Sequence, residues 1–394
     1  MQTDTSAEAT PRLSGPVIVF MAVAAATGTS TIYPLQPAIA DVAAALGTSV
    51  AAVGIALACG PVGYLLGLGL LVPLVDRFMP GRVLAAQFGA LAIALAMGAA
   101  ANSVALLGLT VGLAGACSVV GAGFSSVAGR LAETHRRASV LGTVTAGISV
   151  GILAGRIVGG WLTDALGWRA MLLVFAAVCG LVAVCCAVLL PTAPGAADRG
   201  YLATLRSLPL LFVHHAELRV AAARGFLWFF AFCAVWAGIA VALSQPPYSY
   251  SAERIGLYAL AGLSGVLATR VAGARTDRDG PRRVILAGLA LAGSATVVAS
   301  FGLANTALTL TCLAVFDAGL FAAQVANQST VLAIDPAAPA RFNSAYMLVY
   351  FVGGSLGTAF GAAAADRYGW QATALLAAAA ILAAAVLTAS SRES

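Results

Sequence analysis

The chain has 394 residues, 61% of them hydrophobic and only 9% charged, with a formal net charge of +6. Soluble domains carry about 25% charged residues, so this composition, with a mean hydropathy of +0.95, excludes a soluble globular protein and indicates an integral membrane protein. Lysine is absent and all 21 basic residues are arginine; in a membrane chain that charge bears on topology, not on nucleic acid.

In chain order, a polar tail over 1–14 lacks a processing site and is not a cleavable signal. Apolar segments of crossing length follow at 15–38, 50–75, 82–101, 104–128, 138–162 and 168–190. After a Pro-containing stretch at 191–218 come 220–243, 253–273, 282–301, 305–333, 341–363 and 369–389, and then a tail over 390–394. Twelve segments of about 20 residues predict an all-α membrane protein with six helices in 15–190 and six in 219–389, joined by a cytoplasmic linker. With the N-terminus inside, sixteen arginines fall on the cytoplasmic side, among them Arg12, Arg199, Arg206, Arg224 and Arg392, and three (Arg169, Arg254, Arg367) on the outside. That asymmetry puts both termini in the cytoplasm.

The two halves repeat. Asp76-Arg77 in "VDRFMPGR" returns as Asp277-Arg278 in "TDRDGPRR", 201 residues on, and Gly167-Trp168 returns as Gly369-Trp370, 202 residues on. Equivalent halves suit rocking about a central site. An enzyme needs no such symmetry.

With these motifs the whole chain resembles the major facilitator superfamily, and more narrowly its bacterial twelve-span drug and metabolite efflux branch. The resemblance implies twelve transmembrane helices in two pseudo-symmetric six-helix bundles. It implies gating loops built on Asp76, Arg77, Arg82, Asp277, Arg278, Arg282, Arg283 and Arg341, with Asp76 facing the start of the eleventh helix near Arg341. The second copy of the loop keeps Gly273 and Gly280, while the first has Val72 and Met79 in their places. Solvated turns with topological arginines are the structural alternative.

The fifth segment carries Gly142, Gly151, Gly155, Gly159 and Gly160, three of them every four residues on one face. Such a face admits a close helix neighbour, and the eighth segment is the expected one. The spacing is similar to the antiporter motif of exporters in the family. Arg156 stands where that motif has proline; it either snorkels to the outer headgroups or serves the interior electrostatically.

The tenth segment holds "LAVFDAGLFAAQVANQ". Asp317 lies twelve residues beyond Asn305, about 18 Å into the bilayer at 1.5 Å per residue. Gln324, Asn327 and Gln328 extend a polar stripe from it that should face the pathway between the halves, as candidates for lining the substrate cavity. A midplane carboxylate marks a functional site: proton coupling first, then contact with a cationic substrate, with a structural hydrogen bond as the alternative. The resemblance to the efflux branch implies that Tyr33 and Gln36, near Pro34 and Pro37, line the central cavity. Trp236 is a further candidate for packing on a substrate, and Gln245, whose Gln245-Pro246 echoes Gln36-Pro37, is another candidate for the substrate cavity. The fourth segment lacks the arginine frequent in drug antiporters.

The expectation is a secondary active transporter in the bacterial cytoplasmic membrane, exporting a small organic molecule (a drug, sugar or other metabolite) by proton-coupled alternating access. Its partners are the substrate, protons and the lipid bilayer. It uses no nucleic acid, cofactor or metal, and it works as a monomer. An importer or facilitator is the main alternative. A membrane-embedded enzyme is remote, because His135, His214 and His215 sit in connections without catalytic or metal spacing; a receptor or scaffold is equally remote.

Overall fold

The computed structural model describes residues 13–133, 135–190, 209–335 and 339–391. Most of the expected linker, and Arg12, Arg199, Arg206 and Arg392, lie outside the described residues. The fold is helical from end to end: α1 (Gly15–Ser30), α2 (Ile39–Leu46), α3 (Val50–Leu70), α4 (Val72–Arg77), α5 (Pro80–Ala99), α6 (Val104–Cys117), α7 (Val120–Leu131), α8 (Arg137–Leu166) and α9 (Trp168–Leu189). The second half continues with α10 (Ala216–Ser244), α11 (Ala252–Leu257), α12 (Leu263–Asp279), α13 (Pro281–Phe301), α14 (Thr306–Ala333) and α15 (Pro339–Ser390).

Among the described residues, ten helical stretches are long and apolar enough to cross a membrane, and Gly15–Ser30 is a shorter apolar helix. Several crossings are broken. The first segment stops at Ser30, turns through the stretch holding Pro34 and Pro37, and resumes as α2. Each proline removes a helix donor. The last stretch, Arg341–Ser390, has 50 residues, about 75 Å as one helix, and a hydrocarbon core is about 30 Å thick. Gly369, at φ 79° and ψ 176°, breaks it.

The backbone carries the internal repeat. Gly167 and Gly369 both adopt positive φ, 84° and 79°, which glycine alone adopts readily, and each precedes a buried tryptophan. The other repeat is looser. Gly280 takes φ 85° before Pro281, whereas Met79 takes φ −60° before Pro80. The first copy therefore reaches the same proline-started helix without needing a glycine.

Packing repeats as well. A Cβ at Gly147, Gly151 or Gly155 would fall on the backbone of Ala22, Ala26 or Ser30, and one at Gly159 on Pro34. The glycine face of α8 thus lies on α1 and the turn after it, not on the eighth segment. Only Gly160 meets α11, at Ala252. In the second half, Gly353, Gly357 and Gly361 of α15 press on Phe226, Phe230 and Ala234 of α10 in the same way. Small residues let helix backbones touch where lipid supplies no hydrophobic drive.

The halves meet where α8 approaches α11 and α3 crosses α15. Asp164 accepts hydrogen bonds from the Ala252 and Glu253 amides at 3.1 and 3.0 Å. Gly54 packs on Ala362, and the Ser355 hydroxyl donates to the Ala58 carbonyl. Asp164 thus marks one end of the molecule, and Asp76 marks the other.

Candidate functional site

Arg156 follows Gly155 in α8. Locking that glycine on α1 brings the next side chain beside the turn that carries Tyr33 and Gln36. Arg156 is only 4% exposed. Its Nε donates to Gln36 Oε1 at 2.7 Å, and its guanidinium carbon lies 4.5 Å from the Tyr33 ring centre. From the opposite half, the Trp236 ring centre lies 4.7 Å from the same carbon. Trp236 Nε1 in turn donates to Asp317 Oδ1 at 3.2 Å.

Trp236 therefore stands between the cation and the carboxylate, its face to one and its N–H to the other. A charged side chain at mid-membrane costs about 2.5–3.5 kcal/mol on insertion scales. Cation–π contact and charge-assisted hydrogen bonds offset part of that here. On its other side Asp317 faces Gly262, where a Cβ would come within 3.1 Å of Oδ2.

Beside this group a cavity of about 190 Å³ lies between the halves. Tyr33, Gln36 and Arg156 line it from the first half, and Phe229, Phe232, Trp236, Tyr350 and Phe351 from the second. Arg156 is buried and faces this space. Tyr64 and Thr358 also line it; these two, with Tyr350 and Phe351, carry no mark in the sequence patterns above. The recurrence of Tyr346 and Tyr350 at i,i+4 in an Ala- and Gly-rich helix was the available signal.

The remaining candidates lie elsewhere. Gln324 Oε1 accepts from the Tyr346 hydroxyl at 2.6 Å. Asn327 Nδ2 donates to the Ala221 carbonyl at 2.9 Å, and Gln328 Nε2 to Asn343 Oδ1 at 2.8 Å. Gln245 donates to Asp366 at 2.8 Å on the exposed Asp164 end. Asp76 accepts from the Ser126 hydroxyl and lies 3.9 Å from Arg130 of its own half. Arg77, Arg82, Asp277, Arg278 and Arg283 are exposed. Arg282 donates to the Ala389 carbonyl at 2.6 Å, and Arg341 sits in the first turn of α15. Arg224, counted with the loop arginines, is buried within α10. Gly142 has open space around it.

The family model for the Major Facilitator Superfamily matches residues 18–269. The chain belongs to the Major Facilitator Superfamily. "Uncharacterized transporter YgaY" of Escherichia coli is 30% identical to it over 358 residues, covering 91% of each chain. "Probable transporter SCO4007" of Streptomyces coelicolor is 30% identical over 365 residues, covering 92% of this chain and 84% of its own. A bacterial homolog of the human lysosomal transporter Spinster, solved inward-facing and unoccupied, superposes with a TM-score of 0.79 at 15% identity, over 95% of this chain and 97% of that one. The nucleoside transporter NupG gives 0.76 at 13%, over 94% and 99%. Major Facilitator membership makes this protein a secondary transporter and not an enzyme, and the likeness to the solved structures is one of fold.

Proposed function

We propose that the protein exports a small organic molecule across the bacterial cytoplasmic membrane by proton-coupled alternating access, through the cavity between its halves. The observation that carries the reading is the group Arg156–Trp236–Asp317, in which a cation from one half and a carboxylate from the other flank one ring at that cavity. Asp317 is the proton site in this reading.

Twelve crossings follow when the long last stretch is divided at Gly369 and the Gly15 helix counts as the first, which gives six per half in 15–190 and 219–389. Arginine asymmetry supports placing the Asp76 end and both termini in the cytoplasm. In this reading the contacts of Asp164, Gly160 and Gly54 close the outer side, the arrangement of an inward-facing state. In this state Asp76 is held by Ser126 and Arg130. In the outward-facing state it engages the start of α15 near Arg341, with the arginines of the two Asp-Arg loops anchoring that side. Asp76→Asn should shift the balance toward the inward-facing state; unchanged populations in distance measurements across the cytoplasmic side would remove the gate. The protein acts as a monomer without cofactor or metal.

A second reading is import. The glycine spacing shared with exporters recurs in α15, where it packs α10, so close packing alone accounts for it, and Arg156 departs from the exporter pattern. Purified protein in liposomes, given imposed pH gradients of either sign and labelled drugs, sugars and organic acids, tests both readings. Export predicts accumulation in the compartment that supplies the protons, and import predicts accumulation in the other. Flux indifferent to the gradient would sink the proton coupling.

A further inference from the structure

Arg156 uses one of its donor groups. Nε donates to Gln36, and among the described residues the guanidinium's other contacts are the Tyr33 and Trp236 rings, with no acceptor at either terminal nitrogen. The guanidinium is held on two rings, Tyr33 and Trp236, and is the one charged side chain in the cavity wall; Asp317 stands behind Trp236. A buried fork with two free corners is the complement of a carboxylate or similar oxyanion, which takes two parallel N–H bonds.

The remaining wall is aromatic. Phe229 stacks on Tyr350 at 3.8 Å between ring centres, and Phe351 lies 4.9 Å from Tyr64. A dry cavity of about 150 Å³ takes a benzene ring, so about 190 Å³ takes one ring with a short anionic head. A cationic substrate meets the wrong sign at this wall. A sugar, with hydroxyls all round, leaves most of them without partners among these rings.

We propose that the cavity binds a small aromatic or apolar organic anion, its head on the terminal nitrogens of Arg156 and its body on Phe229, Tyr350 and Phe351. The inference rests on the cavity being the transport site and is independent of the direction of transport. Thr29, Tyr33 and Thr358 add polar groups to the same lining.

The test uses the purified full chain and two matched sets of probes: phenylacetate, phenylacetamide and phenethylammonium, and the same three heads on naphthalene. Binding is followed by tryptophan fluorescence and equilibrium dialysis. In each set that binds, the carboxylate should bind at least about tenfold more tightly than the amide or the ammonium, as hydrogen bonds to a charged partner require. Arg156→Gln should erase the preference, and Arg156→Lys should keep part of it, since it retains the charge without the fork. Amide or ammonium binding as tight as the carboxylate overturns the proposal. So does the absence of binding by both carboxylates, or an unchanged preference in a folded Arg156→Gln protein. The comparison of heads on the wild-type protein decides the matter even where a variant fails to fold. Arg156-dependent binding without flux in liposomes would instead fail the transport reading and leave the anion site standing.

Discussion

One helix, α14, carries polar side chains at two levels, and they behave differently. At the level of Gln324, Asn327 and Gln328, the groups close on one another and on neighbours. Tyr346 donates to Gln324, Asn327 donates to Ala221 and Tyr346, and Gln328 donates to Asn343. These bonds stitch α10, α14 and α15 together, and Asn327 Oδ1 alone is left over in the buried set. About 15 Å along the helix, Asp317 accepts, among the described residues, one hydrogen bond, from Trp236, and beyond that ring lies an arginine whose terminal nitrogens face the cavity. Polar groups that saturate one another hold helices in place. Arg156, with donors to spare at the cavity wall, is open to a ligand, and Asp317 keeps acceptor capacity behind Trp236.

Three substitutions test that contrast. The largest effect is expected from Asp317→Asn, which keeps the shape and removes the titratable charge. Proton-driven flux in liposomes should fall more than about tenfold, with thermal unfolding near wild type. Wild-type flux here would put Asp317 with the structural group. Trp236→Phe comes next. It keeps a ring over Arg156 but removes the donor to Asp317, and several-fold slower flux is expected from one lost charged hydrogen bond; a loss of stability without loss of flux would make Trp236 a packing residue.

Asn327→Leu should affect flux least. It strips the Ala221 carbonyl and the Tyr346 hydroxyl of a partner, at a cost of roughly 1–3 kcal/mol, so the unfolding midpoint should drop while flux per folded molecule holds. Abolished flux in a stably folded Asn327→Leu protein would break the comparison from the other side.

The sequence displayed the fold's outline clearly. Apolar runs marked the crossings because lipid demands them, and Gly167 and Gly369 marked the repeat because a positive φ needs glycine. The partner of the α8 glycines was not legible: four-residue spacing announces a close neighbour but does not say which, and α1 filled that place. Periodicity put Asp317, Gln324 and Gln328 on one stripe. It carried no record of Tyr346 and Asn343, which come from another helix and absorb the lower part of that stripe. Arg156 and Trp236 lie 80 positions apart in sequence, and only the packing of the halves brings them together.

The glycine contacts carry a consequence for motion. With no side chain between α1 and α8, the pair behaves as one stiff beam, and Tyr33, Gln36 and Arg156 ride on it at fixed spacing. Gly353, Gly357 and Gly361 weld α10 to α15 into a second beam that carries Trp236 and Tyr350. The two beams face one another across the cavity at Arg156 and Trp236, as the halves also do at Asp164–Ala252 and Gly54–Ala362. Arg156 and Trp236 belong to different beams, so any rocking of one half on the other must remake that contact.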